Sequence, residues 1–302
     1  MSDAFWKHGP PRIILLATDL SSRCDRALDR AAQLAVTWKS RLVVVHVLDP
    51  RDATNRMDID DGHGRLKDQA ELALRQVRRD LEGLLPALSA IPDVEIRIEE
   101  GNPAERIDAL ARTMGAGLIV TGIARDETLG RQFLGTTVQR LVRRTPIPVL
   151  IVKARARPYR EILVATDFSP PSRHALDAAM AFFPQTPKTL FHAFEVPFPE
   201  LLDRGTARQE YRELEQSAAK AFLAESGLTS EQMRNVRTVI EHGVATSSVR
   251  SYMQQNEVDI VVLATHGRTG LFRVALGGTA KLILEYAPGD VLLIREPRSL
   301  EA

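Results

Sequence analysis

The chain has 302 residues, of which 44% are hydrophobic and 26% are charged, and its net charge at pH 7 is +1. This composition is typical of a globular protein with about two domains, and the balanced charge gives no sign of a nucleic-acid partner. The single cysteine excludes an intrachain disulfide framework. Neither a signal peptide nor an apolar run of the ~18 residues that span a membrane is found. We therefore expect a soluble, cytoplasmic protein that binds neither membrane nor nucleic acid.

The elements at the start of the chain recur in its second half. Residues 12–32 and 161–181 both consist of an apolar run, then Ala-Thr-Asp-x-Ser, then a helical pattern. Four further segments recur in the same order, and the offset drifts only from 148 to 142 residues between the pairs Asp19 and Asp167, His46 and His192, and Gly135 and Gly277. The sequence therefore predicts two copies of one domain, at residues 1–153 and 160–302, joined by a linker at 154–159.

Each copy alternates short apolar runs with amphipathic segments. In the first copy the predicted strands are 13–18, 42–47, 94–98, 118–122 and 149–152. They are continuous runs of Val, Ile and Leu, which are typical of a parallel sheet buried on both faces. Asn102 and Pro103 indicate the start of one intervening helix. The predicted fold class is α/β: two tandem doubly wound, Rossmann-like domains, each a five-stranded parallel sheet of order 3-2-1-4-5 with helices on both faces.

A polar segment follows the second strand of each copy, at 49–65 and 197–207. The first of these holds an acidic cluster beside a histidine: Asp58, Asp60, Asp61 and His63. Its spacing fits no ordered set of metal ligands. We therefore predict a solvated loop and no metal site.

A ligand in such a fold binds where the strand order reverses, outside the carboxyl ends of strands 1 and 4. Strand 1 is followed in each copy by a threonine, an aspartate and a serine: Thr18, Asp19 and Ser21, then Thr166, Asp167 and Ser169. The carboxylate can accept a hydrogen bond from a ribose hydroxyl, or it can satisfy backbone N–H groups of its own turn. The sequence leaves both interpretations open.

Glycine-rich loops follow strand 4, at 122–137 and 264–279. Glycine lets backbone N–H groups approach an anion closely, and the next helix directs its positive end to the same place. The candidate phosphate-binding residues are Gly122, Gly135 and Thr136 in the first copy, and Ala264, Gly267, Gly277, Gly278 and Thr279 in the second. The loops are neither a Walker A loop nor GxGxxG, and tight packing is the alternative reason for their glycines.

These features together resemble tandem universal stress proteins over nearly the whole chain. The resemblance rests on Ala-Thr-Asp after strand 1, Thr-His-Gly-Arg-Thr-Gly at 265–270 and Pro-Val-Leu-Ile-Val at 148–152. Members of this family that bind ATP carry G-x-x-G-x9-G-[S/T] after strand 4, where glycines and hydroxyl hold the phosphates. Their aspartate after strand 1 and the start of strand 2 hold the nucleoside. Members without the pattern are thought not to bind ATP.

Neither copy keeps that pattern whole. In the first, Arg125 replaces the second glycine, and Asp126 and Glu127 beside it would repel phosphates. A non-glycine residue forced into a left-handed conformation costs roughly 1–2 kcal/mol. In the second copy Ala264 adds only a methyl group, and Thr279 could replace the missing hydroxyl at position 278 if the helix begins slightly later.

The second copy is therefore the expected ATP site, with Mg²⁺ accompanying the nucleotide. Its expected binding residues are Asp167, Ser169, Ala264, Gly267, Gly277, Gly278 and Thr279, whereas Asp19, Gly122, Gly135 and Thr136 form a degenerate site. We expect a stress-response module that acts through conformation or an unidentified protein partner. The alternatives are a ligand-free interaction scaffold and a slow ATPase.

The remaining candidate residues add no catalytic group. His266 has no recognisable catalytic partner in the sequence, and no constellation of base and nucleophile is found. His46 and His192 are interpreted as packed or rim residues, and Cys24 as a small hydrophobic residue. The apolar fifth strands, 149–152 and 291–294, lie at sheet edges that proteins avoid exposing. We therefore expect the halves to pair through them as an intrachain pseudo-dimer, with a homodimer as a further option.

Overall fold

The chain is described by a computed structural model. The described residues are 9–21, 24–49, 93–125, 132–133, 135–196, 204–266 and 276–295, with single positions at 68, 71, 72, 75, 79 and 91. They fall into two compact units, Pro11–Pro158 and the residues from Tyr159 onward, the latter together with residues 9–10, here termed the first and second domains. Both are α/β with a parallel sheet, which confirms the predicted fold class.

The first domain builds its sheet from five parallel strands. Its elements are β1 (Ile13–Thr18), α1 (Asp25–Trp38), β2 (Arg41–Leu48), β3 (Val94–Glu100), α2 (Pro103–Met114), β4 (Leu118–Gly122), β5 (Ala124–Arg125), β6 (Gln132–Phe133), α3 (Thr136–Arg144) and β7 (Val149–Val152). Strand β1 pairs with β2 and β4, while β3 and β7 add to the outer sides of these two. The order is therefore β3-β2-β1-β4-β7, and β5 and β6 form a separate antiparallel pair.

Burial of β1 shows why its sequence is continuously apolar. Residues 14–17 are all buried, and successive side chains of a strand point to opposite faces of the sheet. Both faces of the sheet are therefore covered at this strand. The start of α2 is also explained by its local sequence. Asn102 caps the helix by accepting a hydrogen bond from the Glu105 amide, and Pro103 occupies the first turn.

The second domain repeats this architecture. Its elements are β8 (Ile162–Ala165), α4 (Pro170–Phe182), β9 (Lys188–Phe194), α5 (Arg204–Ala224), α6 (Ser230–Arg234), β10 (Val236–His242), α7 (Ala245–Gln255), β11 (Ile260–Ala264), α8 (Gly278–Tyr286) and β12 (Asp290–Ile294). Strand β8 pairs with β9 and β11, while β10 and β12 extend the sheet beyond them, all in parallel. The order within the domain is β10-β9-β8-β11-β12.

One of the core positions at which the domains differ carries a charged side chain in the second domain. Leu42 pairs with Ile14 in the first domain, and Lys188 pairs with Ile162 in the second. Both side chains are buried. The Lys188 ammonium donates hydrogen bonds to the carbonyl oxygens of Phe183 and Thr186 just beyond the end of α4, and burial lowers its pKa to about 8.

The segment that leaves the first domain is held by α1. Arg26 donates a hydrogen bond of 2.8 Å to the carbonyl oxygen of Lys153. Arg30, which is almost completely buried, donates to the carbonyl oxygens of Arg155 and Arg157. The beginning of the predicted linker is therefore fixed to the first domain rather than loose.

Candidate functional site

The carboxyl ends of the two strands that were predicted to flank a ligand lie side by side in both domains. In the second domain Val164 of β8 lies beside Val262 of β11, so the carboxyl ends of these strands are neighbours. Asp167 and Ser169 follow β8, and Ala264 is the last residue of β11. In the first domain Ala17 of β1 lies beside Thr121 of β4. Asp19 and Gly122 therefore take the corresponding positions, and the residues chosen from sequence lie at one edge of each sheet.

The aspartate of each copy makes hydrogen bonds within its own turn. One oxygen of Asp19, Oδ1, accepts from the Ser21 amide at 2.9 Å and from the Ser21 hydroxyl at 2.6 Å. In the second domain Asp167 Oδ1 accepts from the amide and hydroxyl of Ser169. The interpretation of the aspartate as a turn residue is therefore correct for this oxygen. Ser169 also caps α4 by accepting from the Ser172 amide, so its hydroxyl mainly orders the turn.

A left-handed residue follows the aspartate in both domains, a feature that the sequence analysis missed. Leu20 has φ 60° and Phe168 has φ 61°, a region that is uncommon for residues other than glycine. The amide of each donates a hydrogen bond to the preceding threonine hydroxyl, Thr18 or Thr166, at 3.0 and 2.9 Å. Strained backbone of this kind is concentrated at functional sites. The repeated Thr-Asp-x-Ser was the available signal.

A histidine from the second strand fixes the end of the first strand. The ring nitrogen Nδ1 of His46 lies 3.0 Å from the carbonyl oxygen of Thr18, and that of His192 lies 2.8 Å from the carbonyl oxygen of Thr166. In the second domain Nε2 of His192 also lies 3.3 Å from a carboxylate oxygen of Glu215 on α5. Both histidines are therefore packed beside the candidate site, as the sequence predicted, and both shape its wall.

Aromatic side chains fill the space beside the turn in the second domain. The Phe168 ring lies 4.5 Å from the His192 ring and 5.6 Å from the Phe222 ring, measured between centroids. The guanidinium of Arg173 lies 4.0 Å above the Phe222 ring, a cation–π contact. The turn that carries Asp167 therefore rests on an aromatic layer.

The first domain has a cavity beside the equivalent turn. Its lining residues are Leu16, Thr18, Leu20, Cys24, Asp25, Leu28 and Val44. Burial, followed by the negative charge of Asp19, raises the pKa of the Cys24 thiol to about 11. The thiol is therefore protonated at neutral pH and unsuited to nucleophilic chemistry, in agreement with its interpretation as a small hydrophobic residue.

Gly277 brings the start of α8 against the end of β11. Its amide donates a hydrogen bond of 2.8 Å to the carbonyl oxygen of Thr265. A Cβ atom at Gly277 would lie 3.3 Å from that oxygen, so a side chain is accommodated only if the neighbouring backbone shifts. This glycine therefore has a packing reason, and its amide is already used within the protein.

The first turn of α8 is open. Its first internal hydrogen bond runs from the Lys281 amide to the Gly277 carbonyl, so the amides of residues 278–280 have no acceptor within the helix. Gly278 and Thr279 are exposed, and among the residues that the structure describes none would lie within 4 Å of a Cβ atom at Gly278. This turn combines open space with backbone donors at the positive end of a helix.

Thr279 lies one position after the place where the family pattern has its hydroxyl residue, 278. Helix α8 begins at Gly278, directly after Gly277. Helix α3 begins in the same way at Thr136, after Gly135. The start at Gly278 lies within the predicted range of 277–280, the later start that would let Thr279 replace the hydroxyl at 278 is not found, and Thr279 is the second helical residue, equivalent to Thr137.

Several predicted features lie outside the described residues. Among them are Gly267, the side chain of Arg125 and the acidic cluster at 58–63. Within the described parts of the chain, no group of three or more His, Cys, Asp or Glu side chains could hold a metal ion. In those same parts, no helix has the length and apolarity needed to cross a membrane.

His266 follows β11, and its ring nitrogen Nδ1 lies 2.9 Å from the Thr265 hydroxyl.

Comparison with known proteins identifies a family whose model matches both domains. The model of the universal stress protein family matches residues 11–153 and again 158–295. A universal stress protein of Thermus aquaticus is 33% identical over 143 residues, which cover 47% of this chain and 98% of the relative. One from Methanocaldococcus jannaschii is 24% identical over 144 residues, covering 46% of this chain and 84% of the relative.

Two solved structures match nearly the full length of the chain. A universal stress protein from Archaeoglobus fulgidus has a TM-score of 0.66 at 18% identity, with 95% of this chain and 99% of that chain covered. A protein of unknown function from Pseudomonas aeruginosa has a TM-score of 0.61 at 24% identity, with coverage of 97% and 95%. At these identities the likeness concerns the fold.

Proposed function

The chain belongs to the universal stress protein family of stress-response proteins, and we propose that its second domain binds an adenine nucleotide, ATP. The proposed site lies at the carboxyl ends of β8 and β11, where the strand order reverses. Binding there would couple the nucleotide to the conformation of the second domain or to its protein partners.

The open first turn of α8 is the observation that carries this proposal. Phosphate groups are stabilised by unpaired amides at the positive end of a helix. Gly278 leaves room for them, and the exposed Thr279 can donate its hydroxyl. No carboxylate occurs in this turn. Mg²⁺ would accompany the nucleotide on its phosphates, which supply the oxygen ligands that this ion prefers.

Asp167 would bind the nucleoside. Its half-buried carboxylate is held in one orientation by Ser169. A carboxylate oriented in this way can accept a hydrogen bond from a ribose hydroxyl without first losing side-chain freedom, which favours binding. Ser169 then acts by positioning Asp167, rather than by contacting the ligand.

The first domain is proposed to bind ATP much more weakly than the second. Its loop places Asp126 and Glu127 where the second domain has Arg268 and Thr269. Two carboxylates near a polyphosphate raise the free energy of binding by charge repulsion. Asp19, Gly122, Gly135 and Thr136 therefore form the weaker counterpart.

An interaction scaffold without a ligand is the second candidate, favoured by the local bonding of Asp167 and Gly277. One oxygen of Asp167 and the amide of Gly277 already have protein partners. The scaffold function requires that these groups serve only to pack the loop. A slow ATPase is the third candidate, and it would need a base that activates water.

Equilibrium dialysis of the intact chain with ATP and Mg²⁺ distinguishes these candidates. The proposal predicts saturable binding with one nucleotide per chain and little or no hydrolysis. Folded protein that binds no ATP at millimolar concentration would contradict it and favour the scaffold. Hydrolysis of at least one ATP per chain during the dialysis would favour the ATPase.

We also propose that the two domains pair through the apolar strands β7 and β12 and that the protein is cytoplasmic. Pairing removes two apolar sheet edges from solvent. The outward-facing backbone amides of residues 149–152 and 291–294 should then exchange with solvent slowly. Fast exchange at these amides would contradict the pairing.

A further inference from the structure

The outward face of α8 carries two large apolar side chains. Leu282 is 43% exposed and Tyr286 is 54% exposed. They lie one helical turn apart and therefore share a face. The core-facing residues of the helix are Ala280, Ile283 and Leu284, so Leu282 and Tyr286 are not needed to attach α8 to its domain.

The fold does not impose this apolar face, as the duplicated domain shows. With the offset of 142 residues, Arg140 and Arg144 of α3 occupy the positions of Leu282 and Tyr286. Arg144 there lies 3.4 Å from Asp108 and 3.8 Å from Glu105 of α2. The same surface is therefore charged in one domain, with Arg144 ion-paired, but apolar and exposed in the other, so the fold does not require the apolar pair.

The charges beside the apolar pair suggest what covers it. Lys281 and Glu285 lie on one flank of α8, with their charged groups 3.9 Å apart. When two identical helices pack antiparallel about a two-fold axis, each flank faces the same flank of the other copy. Lys281 then faces Glu285 of the second copy, and Leu282 packs against its Tyr286.

A parallel arrangement gives no such match. In a parallel pair each flank faces the opposite flank of the other copy. The opposite flank of α8 carries Thr279, and Lys281 and Glu285 are the only charged residues in the helix. The charge pattern therefore favours the antiparallel arrangement.

We propose that α8 is a self-association surface through which two copies of this chain pair by antiparallel packing. Stable interfaces bury about 1,200–2,000 Å² in total, and a nine-residue helix supplies only part of that area. The dimer is therefore weak and dependent on concentration. This inference does not depend on nucleotide binding in the second domain.

Sedimentation equilibrium of the full chain, from about 1 to 500 µM, tests the surface. The variant L282R/Y286R introduces the residue type found at positions 140 and 144, and it should abolish dimer formation over this range. Lys220→Glu, a charge reversal on the exposed surface of α5, is the matched control and should leave the dimer unchanged.

Charge reversals then test the antiparallel register. Lys281→Glu and Glu285→Lys each place like charges opposite each other at two symmetric contacts, so each should weaken the dimer roughly three- to tenfold. The double variant K281E/E285K places opposite charges together again and should restore the parent constant. A monomer at every concentration, or a dimer that responds to none of these changes, would overturn the proposal, as would failure of the double variant to restore dimerisation.

Discussion

The turns after β1 and β8 have the same backbone but different surroundings. Leu20 and Phe168 share a left-handed conformation and the same hydrogen bond to a threonine hydroxyl. Beside Leu20 lies a cavity, whereas Phe168 packs on His192 and Phe222. Duplication has therefore kept the backbone that orients the aspartate, while the side chains around it have diverged.

The loops after β4 and β11 extend this comparison. Both lead into a helix that begins directly after a glycine, Gly135 or Gly277. The difference lies in the preceding residues, where the first domain has two carboxylates and the second has none at the matching places. The proposed difference in ATP binding between the domains therefore rests on the charges of these loop residues rather than on a difference in fold.

Replacing the glycine before α8 or before α3 by valine should give the largest difference in ATP binding between the two domains. Gly277→Val places carbon atoms against the Thr265 carbonyl oxygen, which already lies 3.3 Å from the Cβ position. The first turn of α8 must shift, and ATP binding should fall at least 100-fold, or about 2.7 kcal/mol. Gly135→Val is the matched control and should leave binding within twofold. Calorimetric titration of both variants, checked for folding by circular dichroism, measures this, and equal effects would remove the distinction between the domains.

Lys188, which stands where the first domain has Leu42, should make the free energy of unfolding depend on pH. The pKa of Lys188 is about 8 in the folded protein against a usual 10.5. Between these values the unfolded chain binds a proton that the folded chain has released, so the free energy of unfolding rises with pH, by at most about 3 kcal/mol. Below about pH 8 Lys188 is protonated in both the folded and the unfolded chain, so it adds nothing to the pH dependence of the free energy of unfolding.

Lys188→Leu, which copies the first domain, should remove that rise. Urea unfolding of the parent and the variant at several values between pH 7.5 and 10 provides the comparison. The difference between their free energies of unfolding should change with pH over this window. A constant difference would mean that Lys188 keeps its usual pKa when buried.

Exchanging Leu20 and Phe168, the residues after the aspartates, should change the free energy of unfolding by a smaller amount. The change should be larger for Phe168 than for Leu20. Phe168→Leu removes ring contacts with His192 and Phe222 and should lower the free energy of unfolding by about 1–2 kcal/mol. Leu20→Phe places a ring beside a cavity and should change stability by less than about 1 kcal/mol. Urea unfolding of both variants checks this, and a larger loss for Leu20→Phe would show that the cavity cannot take the ring.

Supplying the missing hydroxyl should have the smallest effect. Gly278→Ser places a hydroxyl where none of the described residues would lie within 4 Å of a Cβ atom, so the fold should be unchanged. One additional hydrogen bond to phosphate contributes about 0.5–1.5 kcal/mol, and ATP affinity should rise about three- to tenfold. Calorimetry on this variant beside Gly278→Ala separates the hydroxyl from the added carbon. Equal affinities would mean that no phosphate oxygen lies near position 278.

Strands and helices were predictable because their signals are local. Strand β1 matches its prediction at both ends, and β3 extends to Glu100, two residues beyond the predicted end. Two of the features missed depend on residues distant in sequence. The contact between His192 and Glu215, and the approach of Gly277 to Thr265, exist only once the chain has folded.

Hydrogen exchange of the intact chain, with and without ATP and Mg²⁺, tests the central claim most directly. The account predicts slower exchange in the second domain alone, after β8 at residues 166–169 and across the first turn of α8 at 278–281. The equivalent amides of the first domain, 18–21 and 136–139, should be unchanged. Protection of the first domain instead of the second, or of neither at saturating ATP, would contradict the account.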